Sequence, residues 1–377
     1  MNQKIITPGE NYIGLDNWIR ESGVRKLLLV CDASISFQKA FNEHLAVSDE
    51  RLGVQMIRFQ DFQPNPLYEN VMDGVRLFRE EKCEAIIAVG GGSAMDVAKC
   101  IKAYVYMDGN GEIGSFLAQE IKANSIPFLA MPTTAGTGSE ATRYAVIYYD
   151  GKKQSVTSES FIPDTVLMDP ECLKTLPLYQ KKATMMDALC HAIESFWSVN
   201  STEESKEYSK AAIRGVIENM NGYLDNTEEG RAGMLRAANI AGKAINITQT
   251  TAGHAMCYKI TSLFGSAHGH AAILCDRVLF PWMIENTNIC IDPRGKIYLD
   301  SVLDEIGQAM GCADARSGAE KLVRIFDELE LEVPAATKVQ FEELKTSVNP
   351  DRLKNHPIAL DVETIDSLYH KILNGAE

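Results

Sequence analysis

Asp187 and His191 stand four residues apart in the run Asp187-Ala-Leu-Cys-His191-Ala-Ile-Glu194. On a helix that spacing puts a carboxylate and an imidazole on one face, one turn above the other. Two more histidines follow, His254 in Thr-Ala-Gly-His-Ala-Met and His268 in Ala-His-Gly-His. One carboxylate and three imidazoles on separate segments suit the shell of a single divalent transition metal. The chain holds only seven histidines, so three between residues 187 and 268 form a modest concentration. His270 follows His268 by two residues and would leave a helix in another direction. His44, His356 and His370 have no partnering pattern and read as surface residues.

A second chemistry is carried by two glycine-rich stretches. Gly90-Gly91-Gly92-Ser93 follows the apolar run Ala85-Ile-Ile-Ala-Val89 and precedes a helix that starts at Ala94 and ends near Val105. Glycines let the backbone approach a phosphate and permit positive φ, and the N–H groups of the following helix suit a pyrophosphate. Ser93 could cap that helix or bond a phosphate oxygen, and the plain alternative for the whole loop is a tight turn. The pattern is not G-x-G-x-x-G and does not follow the first strand, so a standard Rossmann domain is a poor match. Asp96 and Lys99, one helical turn in, read as either a surface pair or a site pair. The second stretch, Pro132-Thr133-Thr134-Ala-Gly-Thr137-Gly-Ser-Glu140, is dense in hydroxyls and can bond phosphate, ribose or a carboxamide. Two such loops after two strands point to a nucleotide site more strongly than either alone.

The elements that must position these residues divide the chain. Short apolar runs at 26–30, 85–89, 127–131 and 144–149 read as strands, 54–59 alternates, Thr165-Val-Leu-Met168 precedes Asp169-Pro170, and helical spacing runs over 67–82. Continuous apolar strands alternating with helices predict a parallel sheet covered on both faces. Beyond residue 176 the pattern turns helical, with a capping-type start at Asn200-Ser-Thr-Glu-Glu. Further helices are predicted near 231–247, 254–264, 269–284, 298–311, 317–330 and 362–374. The expected architecture is an α/β dinucleotide-binding domain with a parallel sheet over 1–175 and an all-α metal-binding domain over 176–377.

Composition narrows the partners. A net charge of −14 argues against nucleic acid or an anionic membrane. Nine scattered cysteines without a C-x-x-C fit reduced thiols, and the N-terminal residues lack the apolar core of a signal peptide. A soluble, cytoplasmic protein is expected. Asn200-Ser-Thr is set aside as a glycosylation sequon, and Asp108-Gly-Asn-Gly-Glu112 reads as a turn, because a calcium loop would need further ligands.

Gly-Gly-Gly-Ser-x-x-Asp at 90–96, Pro-Thr-Thr-Ala-Gly-Thr-Gly-Ser-Glu at 132–140 and Asp-Ala-Leu-x-His-Ala-Ile-Glu at 187–194 stand in order, with His254 and His268 after them. Together with Gln-Pro-Asn-Pro at 63–66 and Asp169-Pro170, they resemble the iron-containing (group III) alcohol dehydrogenase family over almost the whole chain. That family includes glycerol dehydrogenases and maleylacetate reductases and shares its fold with dehydroquinate synthase.

The resemblance implies a metal held by Asp187, His191, His254 and His268, usually ferrous iron and sometimes zinc. It implies a nicotinamide dinucleotide bound by Gly91, Gly92, Ser93, Asp96 and the threonines Thr133, Thr134, Thr137 and Thr142. Tyr144 would lie against the nicotinamide end, Lys153 would face the cofactor, and Asp32 would hold the adenosine ribose. A carboxylate there would repel a 2′-phosphate and favour NAD(H) over NADP(H). For Asp32 the alternative is a helix N-cap. The reaction implied is hydride transfer between nicotinamide and a small alcohol or aldehyde, with the metal as Lewis acid, in a homodimer or higher homo-oligomer.

One position departs from the family's common pattern. Many members carry another histidine four residues after the first of the downstream pair, where this chain has Tyr258, followed by Lys259. Tyr258 is left with three roles: proton relay, pocket lining or packing. The wording around Arg143-Tyr144, 198–204 and 254–262 resembles the phosphonoacetaldehyde reductase branch, whose members make 2-hydroxyethylphosphonate. Lys259 or Arg143 could then offset a phosphonate, or both could be surface or ion-paired residues. The competing reaction class is a dehydroquinate-synthase-like cyclase or lyase, which would regenerate its NAD in each cycle.

Overall fold

A computed structural model of the chain describes residues 3–107 and 114–375; the turn expected at 108–112 lies outside the described residues. The chain forms two compact units, Met1–Thr134 with Gly138–Leu176, and Ala135–Thr137 with Pro177–Glu377.

The first unit runs β1 (Lys4–Ile6), α1 (Ile13–Ser22), β2 (Lys26–Cys31), α2 (Lys39–Ala46), α3 (Ser48–Leu52), β3 (Gln55–Phe59), α4 (Tyr68–Glu80), β4 (Ala85–Gly90), α5 (Gly92–Tyr104), β5 (Phe128–Pro132), β6 (Tyr144–Tyr149), β7 (Lys152–Thr157) and β8 (Thr165–Leu167). Six strands form one parallel sheet in the order β1-β8-β5-β4-β2-β3. Its central strands are apolar on both faces because both are covered. Leu28, Val30, Ile86, Ala88, Phe128 and Ala130 pack into one core layer, with Val97 and Ile101 of α5. The alternate residues Leu27, Leu29, Ile87, Val89, Leu129 and Met131 face the other layer, with Trp18 and Phe41. Each Val, Leu, Ile, Met or Phe side chain among them contributes roughly 1.5–3 kcal/mol on removal from water.

The apolar run at 144–149 does form a strand, but it stays out of the parallel sheet. β6 pairs antiparallel with β7 as a separate hairpin. Its turn is Asp150-Gly151, both at positive φ (49° and 69°), the conformation whose twist matches a two-residue hairpin.

The second unit runs α6 (Leu178–Trp197), α7 (Glu203–Leu224), α8 (Glu228–Thr248), α9 (Ala252–Phe264), α10 (His268–Glu285), α11 (Lys296–Ala309), α12 (Ala315–Glu328), β9 (Ala335–Ala336), α13 (Lys338–Ser347), α14 (Pro350–Leu353), α15 (Val362–Ile372) and β10 (Asn374–Gly375). The two-residue pair β9–β10 is a small exception to the all-helical expectation, and α13 and α14 are additional to it. The capping signal near residue 200 resolves to Thr202, whose hydroxyl accepts from Ser205 N while Ser205 reaches back to Thr202 N. α6 is the hub: fifteen of its residues are buried, including Asp187, His191 and Glu194. No helix among the described residues is long and apolar enough to cross a membrane, and all nine cysteines are free thiols.

Two histidines read as surface residues are not. His356 is fully buried with its ring edge-on to Trp197, and burial pushes its imidazole down to about 4. His44 is half-buried, 2.7 Å from Asp16 and also beside Arg51. His44 stands at i+3 from Phe41 on the buried face of α2, where the spacing could have placed it; His356 lies outside any helix or strand. His370 is exposed, as read.

Candidate metal centre and cofactor loops

α6 carries Asp187, His191 and Glu194 at positions i, i+4 and i+7, a single helical face. α9 carries His254 one turn before Tyr258, and His268 opens α10. The two helices are joined by a short turn in which Gly265 takes the left-handed conformation (φ 68°) that ends α9. That turn brings His268 back towards His254. Close approach of α10 to α6 requires Gly269, where a Cβ would fall 2.1 Å from the Ala183 carbonyl oxygen and 2.5 Å from Asp187 Cβ.

Three imidazole nitrogens converge on one carboxylate oxygen. His254 Nε2 lies 3.4 Å from Asp187 Oδ1, His268 Nε2 3.9 Å and His191 Nε2 4.0 Å. Ligand atoms of Asp187, His254 and His268 all stand within 4.8 Å of one another. His191 lies outside that tight group, its ring stacked on His254 at 4.4 Å, and remains within reach as a fourth donor. Asp187 and His254 are almost wholly buried, yet neither Asp187 Oδ1 nor His254 Nε2 has a hydrogen-bond partner. Leaving such atoms unpaired costs about 1–3 kcal/mol each. A cation shared by their lone pairs removes that cost, and a carboxylate with imidazoles is the donor set of iron or zinc. The residues fit a divalent metal.

The electrostatics agree. Burial would raise the Asp187 carboxyl, but the three imidazoles outweigh it and hold the group well below the usual carboxylate range. Burial pushes His191 down to about 4, the neutral form a ligand needs. His254 goes the other way: burial would lower it, but Glu194 and Asp187 raise it to about 10. At neutral pH metal uptake therefore has to displace a proton from His254. Metal affinity should rise about tenfold per pH unit between about pH 6 and 8, with one proton released per ion bound. Chelator competition across that range checks this; a flat profile contradicts it.

Glu194 has a role that the sequence reading left unassigned. Its Oε1 accepts from His254 N at 2.9 Å and faces His254 Nδ1; its Oε2 accepts from Thr251 N at 2.5 Å and Thr251 Oγ1 at 2.6 Å. Trp197 Nε1 in turn donates to Thr251 Oγ1 at 2.8 Å. A proton on His254 Nδ1 facing Glu194 leaves Nε2 as the lone-pair donor towards Asp187. Buried Asp276 lies behind this pair. A Cβ on Gly253 would meet Asp276 Oδ1 at 2.0 Å and Glu194 Oε1 at 2.7 Å, so only glycine lets α9 pass between them. Burial, and then the Glu194 charge, raise the Asp276 carboxyl well above its usual range.

Tyr258 stacks on His268, with ring centroids 5.3 Å apart and planes 23° apart, and its hydroxyl accepts from Arg352 Nη1 at 3.1 Å. Lys259 is ion-paired with Glu343 of α13, and Arg143 with Glu159 at 2.7 Å. Both cations are thus ion-paired in this structure. His270 turns away from the cluster, its ring held by the Tyr179 hydroxyl and the Glu332 carbonyl.

In the first unit the two glycine-rich loops lie side by side, since Gly90 and Pro132 are register partners at the carboxyl ends of β4 and β5. Thr133 N donates to Gly90 O at 3.0 Å, and Thr134 lies 3.6 Å from where a Gly91 Cβ would be. Gly90 has φ 152°, and a Cβ there would meet Asp32 Oδ2 at 2.5 Å. Asp32, just after β2, accepts from Gly91 N at 3.3 Å, so its carboxylate sits at the glycine loop. α5 begins at Gly92 with Gly91 as N-cap and no side-chain cap, which removes the capping role considered for Ser93 and leaves the first-turn N–H groups open. Lys99 is fully buried and Asp96 half-buried, and both turn towards the 139–146 segment rather than to open solvent. Lys99 donates to Ser139 O, Thr142 Oγ1 and Tyr144 O, and Asp96 accepts from Ser139 Oγ and Val146 N. Their place is to lash the threonine loop and β6 to α5. Tyr144 opens β6 with the Arg143 guanidinium over its ring, Lys153 on β7 pairs across the hairpin with Tyr148, and Thr137 is half-buried. A cleft of about 750 Å³ opens after Asp32, lined by Ile35, Asn42, Arg58, Gln60 and Phe62 among others.

Comparison with known proteins places this geometry. Residues 2–170 match the model of the iron-containing alcohol dehydrogenases, and residues 181–373 match the C-terminal model of the Fe-containing alcohol dehydrogenase family. A phosphonoacetaldehyde reductase of Streptomyces viridochromogenes is 31% identical over 307 residues, 78% of this chain and 77% of that protein. A 1,3-propanediol dehydrogenase of Citrobacter freundii is 33% identical over 300 residues, covering 78% and 76%. The crystal structure of a sulfoacetaldehyde reductase from Bifidobacterium kashiwanohense in complex with NAD+ aligns with a TM-score of 0.87 at 25% identity, covering 98% of this chain and 97% of that one. The matched models span both units, and the chain belongs to the iron-containing alcohol dehydrogenase family.

Proposed function

We propose that this dehydrogenase is an NADH-linked, ferrous-dependent reductase of a short aldehyde, with Asp187, His191, His254 and His268 as metal ligands and zinc as the alternative ion. The observation that carries the metal assignment is the buried, unpartnered facing pair Asp187 Oδ1 and His254 Nε2. When bound, the ion supplies Lewis acidity at a carbonyl oxygen, and the nicotinamide supplies the hydride. The chain's own residues do the positioning. Glu194 fixes the His254 ring; Gly91, Gly92, Ser93 and Thr134 receive the pyrophosphate; Thr133, Thr137, Thr142, Tyr144 and Lys153 border the cofactor, with Asp96 bracing their loop from behind.

The finer reading is phosphonoacetaldehyde as substrate, supported by the S. viridochromogenes relative and by the oxyanion-bearing aldehyde of the solved reductase. NADH oxidation with phosphonoacetaldehyde, acetaldehyde and propanal tests it. Turnover of the phosphonate in clear preference is expected, and no turnover of any aldehyde by metal-loaded protein defeats the reductase reading. Net consumption of NADH also excludes a cyclase that regenerates its NAD. We further propose a cytoplasmic homo-oligomer, at least a dimer, to be weighed by light scattering.

NAD(H) is favoured because the Asp32 carboxylate would face a 2′-phosphate. Asp32→Ser removes that repulsion while Arg58 remains in the adjoining cleft. The ratio of kcat/KM with NADPH to that with NADH should rise by about tenfold or more; an unchanged ratio removes Asp32 from cofactor selection.

A further inference from the structure

We propose that Arg352 anchors the anionic end of the substrate, so that the site selects two-carbon aldehydes bearing a phosphonate or sulfonate. The inference rests on the reductase reading above and names the side chain that would give it specificity.

Arg352 lies on the one-turn helix α14, far in sequence from the metal ligands. Its guanidinium carbon is 4.8 Å from the Tyr258 ring centroid, and the Tyr258 centroid is 5.3 Å from that of His268. Those separations keep the guanidinium within about 10 Å of a metal-ligand ring. A two-carbon aldehyde measures roughly 4–5 Å from its carbonyl oxygen to its anionic oxygens, from ordinary bond lengths. With one coordination bond and one hydrogen bond at its ends, it falls within that upper limit.

Charge favours the same residue. The chain has 51 acidic residues against 37 basic ones, and the other cations weighed for this role, Lys259 and Arg143, are each held by a glutamate. Arg352 is half-buried and has no carboxylate partner among the described residues. A guanidinium has five N–H donors, and the Tyr258 hydroxyl takes one. The rest suit a tetrahedral oxyanion, which accepts two parallel hydrogen bonds in the fork geometry a lysine cannot offer. Tyr258, accepting from Arg352 and stacked on His268, holds the guanidinium on the side chain next to the metal cluster. The chain's departure from the family's histidine thereby gains a purpose: a phenol at this position docks an arginine, which an imidazolium would repel.

The test compares metal-loaded wild type, Arg352→Gln and Arg352→Lys with phosphonoacetaldehyde, sulfoacetaldehyde and neutral propanal. Arg352→Gln should raise KM for both anionic aldehydes by about 10–100-fold with kcat little changed, and leave propanal unaffected. Arg352→Lys should recover part of the loss. Calorimetric binding of the product 2-hydroxyethylphosphonate should weaken by the same factor, a readout free of turnover. The wild-type preference between the two anions says which oxyanion is the natural one. An equal loss with propanal, or loss of bound metal in Arg352→Gln, would make Arg352 a brace for Tyr258 and overturn the proposal. A wild type that reduces propanal but neither anion overturns this inference alone; one that reduces none of the three overturns the reductase reading as well.

Discussion

His254→Ala is expected to strip the metal and reduce NADH-linked aldehyde reduction by about a thousandfold or more. His254 Nε2 is the nitrogen closest to Asp187 Oδ1, at 3.4 Å, and it is buried with no other partner. Lewis-acid polarisation contributes several kcal/mol to the transition state. Each 1.36 kcal/mol is tenfold in rate, so about 4 kcal/mol gives the stated loss. The fold should survive, because the ring is packed on His191 and His268 as part of a cluster that α6, α9 and α10 hold together. Metal analysis alongside a circular dichroism spectrum separates the outcomes. Full metal occupancy in a folded variant would show the ligand assignment to be wrong.

Glu194 should be the other costly position, and its two substitutions should differ. Glu194→Ala leaves His254 Nδ1, His254 N, Thr251 N and Thr251 Oγ1 without their acceptor in a fully buried place. Removing one partner of such a buried charged network costs about 3–5 kcal/mol, a large part of the stability of an ordinary domain. Glu194→Gln keeps the volume and one acceptor oxygen but loses the charge that orients His254. Its stability should fall less, while metal affinity drops about 10–100-fold, the usual effect of losing the group behind a ligating histidine. Thermal unfolding and chelator competition on both variants check this. Equal metal affinity in wild type and Glu194→Gln would confine Glu194 to a packing role.

The sequence carried much of this because two periodicities are hard to disguise. Leu27 to Val30 and Ala85 to Val89 are apolar without interruption, and only a strand buried on both faces needs that. Asp187 and His191 announce a shared helix face by their spacing, and Glu194, at i+7 on that face, was legible in the same run. It drew no role because a carboxylate beside a metal motif reads equally well as a surface residue. Asp150-Gly151 between two alternating runs is a hairpin signal, and it explains why β6 leaves the parallel sheet. β1 is three residues long and too short to stand out. Arg352, Asp276 and the buried His356 are different in kind. Their places depend on which distant segments pack together, and no local pattern in a chain encodes that.

The most direct test of the metal-dependent reductase is a reconstitution titration. Metal-free protein is supplied with ferrous ion in steps under exclusion of oxygen, and NADH oxidation with a short aldehyde is followed. Activity should rise linearly and break at one ion per chain, with Asp187→Asn and His254→Ala giving no such rise. Full activity before any metal is added, or the same rise in both variants, would contradict the assignment of the reaction to this cluster.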